Sequence, residues 1–305
     1  MRAMRRGLAV LFPLVVSACG HNATSHPPSE TPDASTQPGD PDAAAVAIDG
    51  PAAVDPTACV DWYTWAAQQP SLGQASWGTQ LTDIAQHLPA SYGDQYWSDD
   101  AITAGHETSH GISADLRNNH APPGHVNAFY VLGNHAAFVT EPSMLKSDIK
   151  ANIPMVLRGP RYDLYLEQQT EWDDTPLYVF DEWNAYVNGA EVGVGQVQAG
   201  LYTGQWTDAV LGPLEFTAYA IATAKTVQDK DPTYYASNTQ FRCFTAWQIA
   251  RAMRLYEAGR SMTQFQYDVQ EQYATTLRTA PEASTLRDTA RALWGASWTQ
   301  TVLGF

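Results

Sequence analysis

Two histidines and a glutamate stand close together in the stretch GHETSHGISADLRN, residues 105–118. His106 and His110 are four residues apart, so on a helix their imidazoles project from the same face. Two imidazoles at this spacing can bind one Zn²⁺, while the carboxylate of Glu107, turned away from that face, reaches a water molecule rather than the metal. The pattern predicts a zinc hydrolase with His106 and His110 as ligands and Glu107 as general base. The alternative is an ordinary helix with two hydrogen-bonded histidines.

Polar residues before the motif predict where its helix begins. Ser98 is a candidate N-cap, and Asp99 and Asp100 would lie in the first turn, where the helix dipole favours carboxylates. We therefore predict a helix over residues 99–118, with the motif inside it.

A third metal ligand must come from outside the motif, because a catalytic zinc site normally uses three protein ligands and a water. Leu116 stands six residues after His110, where the metzincin peptidases have their third histidine. The sequence instead resembles the gluzincin branch of the zincin metallopeptidases, in which a glutamate on a later helix completes the site. The segment VFDEWNAYV, residues 179–187, is similar to the NEGFA motif of the aminopeptidase-type members. The resemblance implies that Glu182 is the third ligand, that the cofactor is Zn²⁺ and that the fold is zincin-like.

The match to that second motif is partial. Glu182 and Ala185 coincide with it, Asp181 replaces its asparagine, and Trp183 and Asn184 replace its glycine and phenylalanine. The gap from the second histidine of HExxH to the glutamate is 72 positions, much longer than in those aminopeptidases.

The residues around Glu182 independently predict a helix over about 176–198. Thr175 followed by Pro176 is a favourable N-cap and first-turn pair. Glu182, Gly189 and Gly193 share one face of this helix, and the glycines would let another helix approach closely. An exposed helical carboxylate is the alternative reading of Glu182.

Other polar residues are candidates for the remaining roles. Tyr186, one turn beyond the glutamate, is a candidate catalytic residue that could polarise a substrate carbonyl, and a buried packing tyrosine is the alternative. Arg117 could orient a carboxylate near the motif or form a surface salt bridge. The residues expected to be structural, exposed or turned away from the metal are His120, His125, His135 and Glu191.

The predicted fold is mainly α (α+β), with the HExxH helix packed against the glutamate-bearing helix. A single clear β signal, VNAFYVLGNHAAFV at 126–139, predicts a hairpin that turns at Gly133 and Asn134. Apolar periodicity and Gly/Pro breaks predict the other helices at 79–87, 213–229, 239–259, 263–278 and 284–294.

The N-terminal residues predict that the protein is exported from the cytoplasm. Three arginines, an apolar run over 8–16 and the sequence VSAC at 16–19 form a signal peptide over 1–18. VSAC is similar to the lipobox of bacterial lipoproteins, which implies lipidation of Cys19 and a membrane anchor. Residues 19–57 lack aromatic residues and predict a disordered tether, and 58–305 predict the catalytic domain. By resemblance to enterobacterial lipoprotein sorting, Gly20 rather than Asp after Cys19 implies the outer rather than the inner membrane of the cell envelope.

The charge of the chain limits its possible binding partners, and its cysteine content limits its possible disulfides. The chain has 17 Lys and Arg against 32 Asp and Glu, which argues against nucleic acid as a partner. Besides Cys19, only Cys59 and Cys243 are present, and in an exported protein they could form a disulfide or remain free.

Together these patterns predict an extracytoplasmic, lipid-anchored zinc metallopeptidase acting on a protein or peptide substrate. Two other functions stay open at the level of sequence. The same site could be a zinc amidase acting on the cell wall or on small molecules, since metal and fold do not fix the substrate. The chain could also be a non-catalytic surface-binding lipoprotein.

Overall fold

Ten helices and one small sheet make up the part of the chain that the computed structural model describes, residues 55–204 and 207–305. The predicted signal peptide, Cys19 and most of the predicted tether lie outside the described residues. The helices are α1 Gly78–His87, α2 Ala101–Asp115, α3 Pro160–Tyr162, α4 Tyr178–Gln198, α5 Leu211–Lys230, α6 Pro232–Ser237, α7 Thr239–Gly259, α8 Asp268–Thr279, α9 Ser284–Trp294 and α10 Ala296–Val302. The prediction of a mainly helical fold with a small β element is confirmed.

The sheet has three antiparallel strands in the order β1-β3-β2. Ala128 of β2 faces Phe138 of β3, and the turn between these strands places Leu132, Gly133 and Asn134 at positive φ. The predicted hairpin is confirmed, whereas β1 was not predicted because it is only two residues long. The strands are β1 Tyr63–Thr64, β2 Val126–Tyr130 and β3 His135–Thr140.

Helix α4 runs through the middle of the largest core. Trp183 and Val187 are fully buried, and apolar side chains of α5 and α7 belong to the same cluster. A helix buried on nearly all sides is held by packing on each face, so its position is closely constrained. It therefore offers a rigid support for any side chain that functions from it.

Glycines bring α2 and α4 close together. A methyl group added at Gly189 would lie 2.9 Å from the carbonyl oxygen of Ile102 in α2. One added at Gly105 would lie 2.8 Å from Cγ2 of Val192 in α4. Both distances are shorter than ordinary van der Waals contact, so the two helices approach each other with only hydrogen atoms at these points. The predicted close approach at Gly189 is confirmed.

The predicted start of the motif helix is wrong. Helix α2 begins at Ala101, two residues after the predicted position 99, and Ser98 is not its N-cap. The N-cap of α2 is Asp100, whose carboxylate accepts a hydrogen bond from the backbone N–H of Thr103 at 2.7 Å. Ser98 lies two residues earlier, and its hydroxyl accepts from the N–H of Asp100 instead. Asp is as good an N-cap as Ser, and its negative charge also suits the helix dipole, which explains the choice.

The predicted cap of α4 is also wrong. The helix begins at Tyr178, its N-cap is Leu177, and no side chain of the cap residue bonds to it. The hydroxyl of Thr175 is instead 3.4 Å from Nε2 of His125 and 3.4 Å from Oδ1 of Asp174. The backbone N–H of the cap residue Leu177 is bonded by a side chain distant in sequence, described below.

The segment between β3 and α4 contains several short helical pieces that were not predicted. One of them is the π-helical turn Asp163–Gln168, which directly follows α3. A similar turn elsewhere in the chain, Leu116–His120, continues α2.

Cys59 and Cys243 are joined by a disulfide, which ties the start of the described chain to α7. Among the described residues, no helix combines the length and the apolar content needed to cross a membrane.

Candidate metal centre

The HExxH motif lies inside α2, where the helical repeat puts both imidazoles on one side. The Nε2 atoms of His106 and His110 are 3.2 Å apart, and the side chains are 15% and 16% exposed. Two imidazole nitrogens this close can share at most one hydrogen bond with each other. The arrangement is typical of nitrogens that point at a common partner.

Glu182 of α4 brings a carboxylate to the same point. Its Oε2 is 3.5 Å from Nε2 of His110 and 3.8 Å from Nε2 of His106. Ligands at about 2.0–2.1 Å from a tetrahedral Zn²⁺ are separated from one another by about 3.4 Å. The three ligand atoms therefore already have the mutual spacing of one metal shell, and His106, His110 and Glu182 form a group that could hold a metal ion.

The two oxygens of Glu182 differ in a way that fits a metal. Oε1 accepts a hydrogen bond of 2.6 Å from the hydroxyl of Tyr178, one helical turn earlier. Oε2 is buried and has no hydrogen-bond partner. This oxygen lies at ion-pair distance from Nε2 of His110, 3.5 Å away, and a metal ion between the imidazole nitrogens could pair it fully.

Asp181 orients the imidazole of His110 by a hydrogen bond to Nδ1, the ring nitrogen that faces away from the other ligand candidates. Its Oδ2 lies 3.0 Å from Nδ1 of His110. A carboxylate can only accept, so Nδ1 carries a hydrogen, and Nε2 is the nitrogen that faces the other ligand candidates and is available to a metal ion. This is the carboxylate–histidine arrangement common around metal ions, where it fixes the tautomer and increases ligand basicity. The sequence contained Asp181 only as a departure from the NEGFA motif, and its position beside Glu182 was the signal that could have revealed its role.

The charges of the group are strongly coupled. Burial alone would lower the pKa of His110, but the carboxylates of Glu182 and Asp181 raise it well above its ordinary value. Burial, the neighbouring His110 and Arg161 lower the pKa of His106 well below its ordinary value. In the absence of a metal, His110 therefore takes up a proton more readily than His106 does. A metal cation bound at the three ligand atoms would take the place of that proton.

Glu107, the predicted general base, is half-buried beside the histidines. Burial raises the pKa of its carboxyl, the positive charge on His110 lowers it, and Glu182 raises it. The net effect is an elevated pKa, which brings a carboxylate closer to the range in which it exchanges protons efficiently near neutral pH.

Tyr186 lies at the site and contacts a metal-ligand candidate. Its ring meets that of His106 edge to face, with centroids 4.6 Å apart, and its hydroxyl is 3.1 Å from the hydroxyl of Tyr165. The guanidinium of Arg161 lies 4.7 Å above the same ring. Burial raises the pKa of Tyr186, so the phenol remains a hydrogen-bond donor. Its catalytic role stays a prediction.

A buried polar network holds the two ligand-bearing helices in register. Asn188 of α4 donates to Oγ of Ser109, which lies between the motif histidines, at 2.8 Å. Asn188 and Asn184 both donate to the carbonyl of Tyr130 in β2, at 2.9 and 2.7 Å. Arg251 of α7 donates to the carbonyl oxygen of the Asn188 side chain at 2.7 Å. None of these partners was predicted, because they meet only in the folded chain.

The remaining candidates lie outside the metal group. His120 is 3.5 Å from Asp115, His135 packs against Trp62, and Glu191 pairs with Arg251. Arg117 donates to the side chain of Asn127, and within the described part of the chain it forms no salt bridge.

Fold and site together define a mainly helical protein with a two-histidine, one-glutamate group suited to a metal ion. Comparison of the chain with protein-family models, curated protein sequences and solved structures finds no match.

Proposed function

We propose that this chain is a zinc-dependent metallopeptidase of gluzincin type. The supporting observation is the group formed by His106, His110 and Glu182, with the carboxylate oxygen Oε2 buried between the two imidazoles. Two nitrogens and one oxygen are a common donor set of catalytic zinc sites, in which a fourth position stays open for water or substrate. The proposal of Zn²⁺ rests on this donor set and on the motif.

Zinc held by these residues supplies a Lewis acid that polarises a carbonyl and lowers the pKa of a water. Glu107 accepts the proton of the attacking water and returns it to the amine of the departing product. The elevated pKa of Glu107 suits both steps, because the same carboxyl must take up and release a proton.

The surrounding residues keep this machinery in place. Asp181 holds His110 with Nε2 available to a metal ion, and Tyr178 holds Glu182 through Oε1 so that Oε2 faces the histidines. Tyr186 donates its hydroxyl hydrogen to the substrate carbonyl as negative charge develops on the oxygen. We further propose a zincin-like packing for the domain and anchoring to the cell envelope, most compatible with the outer membrane, through a lipid on Cys19.

Metal content and cleavage of a peptide substrate test this function. The purified chain should contain about one zinc per molecule, as expected for one three-ligand site. His110→Ala should lose this metal, and His125→Ala should keep it, because His125 lies outside the group. A quenched fluorescent peptide library should be cleaved by the parent and not by Glu107→Gln. Absence of stoichiometric zinc would refute the metal site. A zinc-loaded protein that cleaves cell-wall fragments but no peptide would favour the amidase.

A further inference from the structure

We infer that Glu141 is a positioning residue that fixes the start of α4 and thereby the place of Glu182 in the metal group. The inference rests on the proposed function for its consequence and on hydrogen bonds of the metal-free chain for its geometry. Glu141 follows β3 directly and is 36 positions before the residue it caps.

Glu141 supplies a side-chain acceptor at the start of α4, where the cap residue itself provides none. Its Oε2 accepts a hydrogen bond of 2.8 Å from the backbone N–H of Leu177, the N-cap position. An acceptor at this place bonds an N–H that has no partner within the helix. Asp181 and Glu182 follow within about one helical turn, so a change at the cap moves both of them.

The other carboxyl oxygen connects Glu141 to the motif helix. Oε1 accepts from Nδ2 of Asn127 at 3.2 Å, and Oδ1 of Asn127 accepts from Arg117 at 3.0 Å. Arg117 lies in the π-helical turn Leu116–His120, which continues α2 beyond His110. A buried chain of hydrogen bonds therefore runs from the end of the histidine-bearing helix, through β2, to the start of the glutamate-bearing helix.

Burial is the main influence on the charge of Glu141. Burial raises the pKa of this carboxyl to about 8, although hydrogen bonds from Leu177 and Asn127 and the charge of Arg117 lower it. Asp181 of α4 raises it further. In this buried setting the two carboxyl oxygens each accept one hydrogen bond, from Asn127 and from Leu177.

The test compares Glu141, the distant acceptor, with Thr175, the local residue that the sequence suggested as N-cap. Glu141→Ala removes the acceptor, Glu141→Gln keeps an amide oxygen for the N–H of Leu177, and Thr175→Ala removes the hydroxyl that the sequence suggested as cap. In the full chain without metal, hydrogen exchange of the amides at 177–181 should be about tenfold faster in Glu141→Ala. It should be near the parent rate in Glu141→Gln and unchanged in Thr175→Ala.

Zinc affinity gives the functional measurement, by competition with a chromophoric chelator. Glu141→Ala should bind zinc about 10- to 100-fold more weakly, as for other residues that orient ligands, and Thr175→Ala should bind within twofold of the parent. Unchanged exchange at 177–181 in Glu141→Ala, or equal acceleration in Thr175→Ala, overturns the inference. If Glu141→Ala fails to fold, Glu141→Gln decides. Exchange at 177–181 and zinc affinity like those of the parent support the role of the Glu141 acceptor, whereas faster exchange together with weaker zinc binding overturns it. A parent that binds no zinc refutes the proposed function, whereas the exchange measurement still decides the role of Glu141.

Discussion

The contact between α2 and α4 at Gly189 can be tested by one methyl group. Gly189→Ala would place Cβ 2.9 Å from the carbonyl oxygen of Ile102 and 3.4 Å from Cβ of His106. The first neighbour is backbone and cannot rotate away, so α2 must shift by a few tenths of an ångström. Because the second neighbour belongs to a ligand candidate, the same shift displaces the imidazole of His106.

The energetic effect can be estimated from two opposing contributions. Overpacking a close contact costs about 1–3 kcal/mol, whereas replacing a helical glycine by alanine contributes about 1 kcal/mol of stability. We expect Gly189→Ala to lower the free energy of unfolding by about 1 kcal/mol. Gly195→Ala is the matched control on the same helix, because its Cβ would meet only the flexible terminal amide of Gln80. That variant should be stabilised, by up to about 1 kcal/mol.

Denaturant unfolding of the metal-free proteins measures the difference, and a zinc competition assay measures its effect on the site. Gly189→Ala should have the lower unfolding midpoint and the weaker zinc affinity of the two variants. Equal midpoints would refute the close approach of α2 and α4. A normal affinity in a destabilised Gly189→Ala would refute the coupling of this contact to His106.

Further variants separate the roles within the site. Glu107→Gln should keep zinc and lose turnover by several orders of magnitude, since the proton acceptor is gone while the ligands remain; loss of zinc in this variant would contradict the assignment. In the parent, the rate should fall as pH decreases through a pKa above the ordinary 4.5 of a glutamate, because burial raises the pKa of Glu107 and only its ionised form accepts a proton. A pH–rate profile measures this, and a flat profile down to pH 4.5 would argue against Glu107 as base. Glu182→Ala should weaken zinc binding far more than Glu107→Gln does, and equal affinities in equilibrium dialysis would exclude Glu182 as a ligand. Asp181→Asn should reduce zinc affinity about 10- to 100-fold, because the amide holds His110 without the negative charge; an affinity equal to that of the parent would assign Asp181 a purely structural role.

The sequence predicted the elements that carry strong local patterns. The helix around His106 and the hairpin at Gly133 follow from periodicity and turn chemistry, which depend on neighbours along the chain. The position of Glu182 was predicted from the resemblance of its segment to the NEGFA motif, and the face it shares with Gly189 supported it, because a glycine face marks where another helix approaches.

The cap residues show why the rest could not be predicted. Thr175 and Pro176 have the residue types of a helix start, yet the hydroxyl of Thr175 turns towards His125 and Asp174. The N–H of Leu177 is bonded by Glu141, a residue that local rules cannot connect to it. Ser109 and Asn188 meet in the same way, from positions 79 residues apart. Such partners depend on tertiary packing, and no spacing within one helix encodes them.

The electrostatics of the metal group give a separate argument for a cation. The carboxyls of Glu107, Asp181 and Glu182 lie around two imidazoles within a poorly hydrated part of the protein. Without a metal, the pKa of Glu107 and that of His110 are both raised, so the folded chain holds protons there that the same groups would release more readily in water. A site that gathers more carboxylate charge than its histidines can balance binds a proton as a substitute for a stronger positive charge. A divalent ion at Nε2 of both histidines and Oε2 of Glu182 would supply that charge and would also pair the buried carboxylate oxygen. The spacing of these ligand atoms and the charge around them are therefore both compatible with a metal ion at this point.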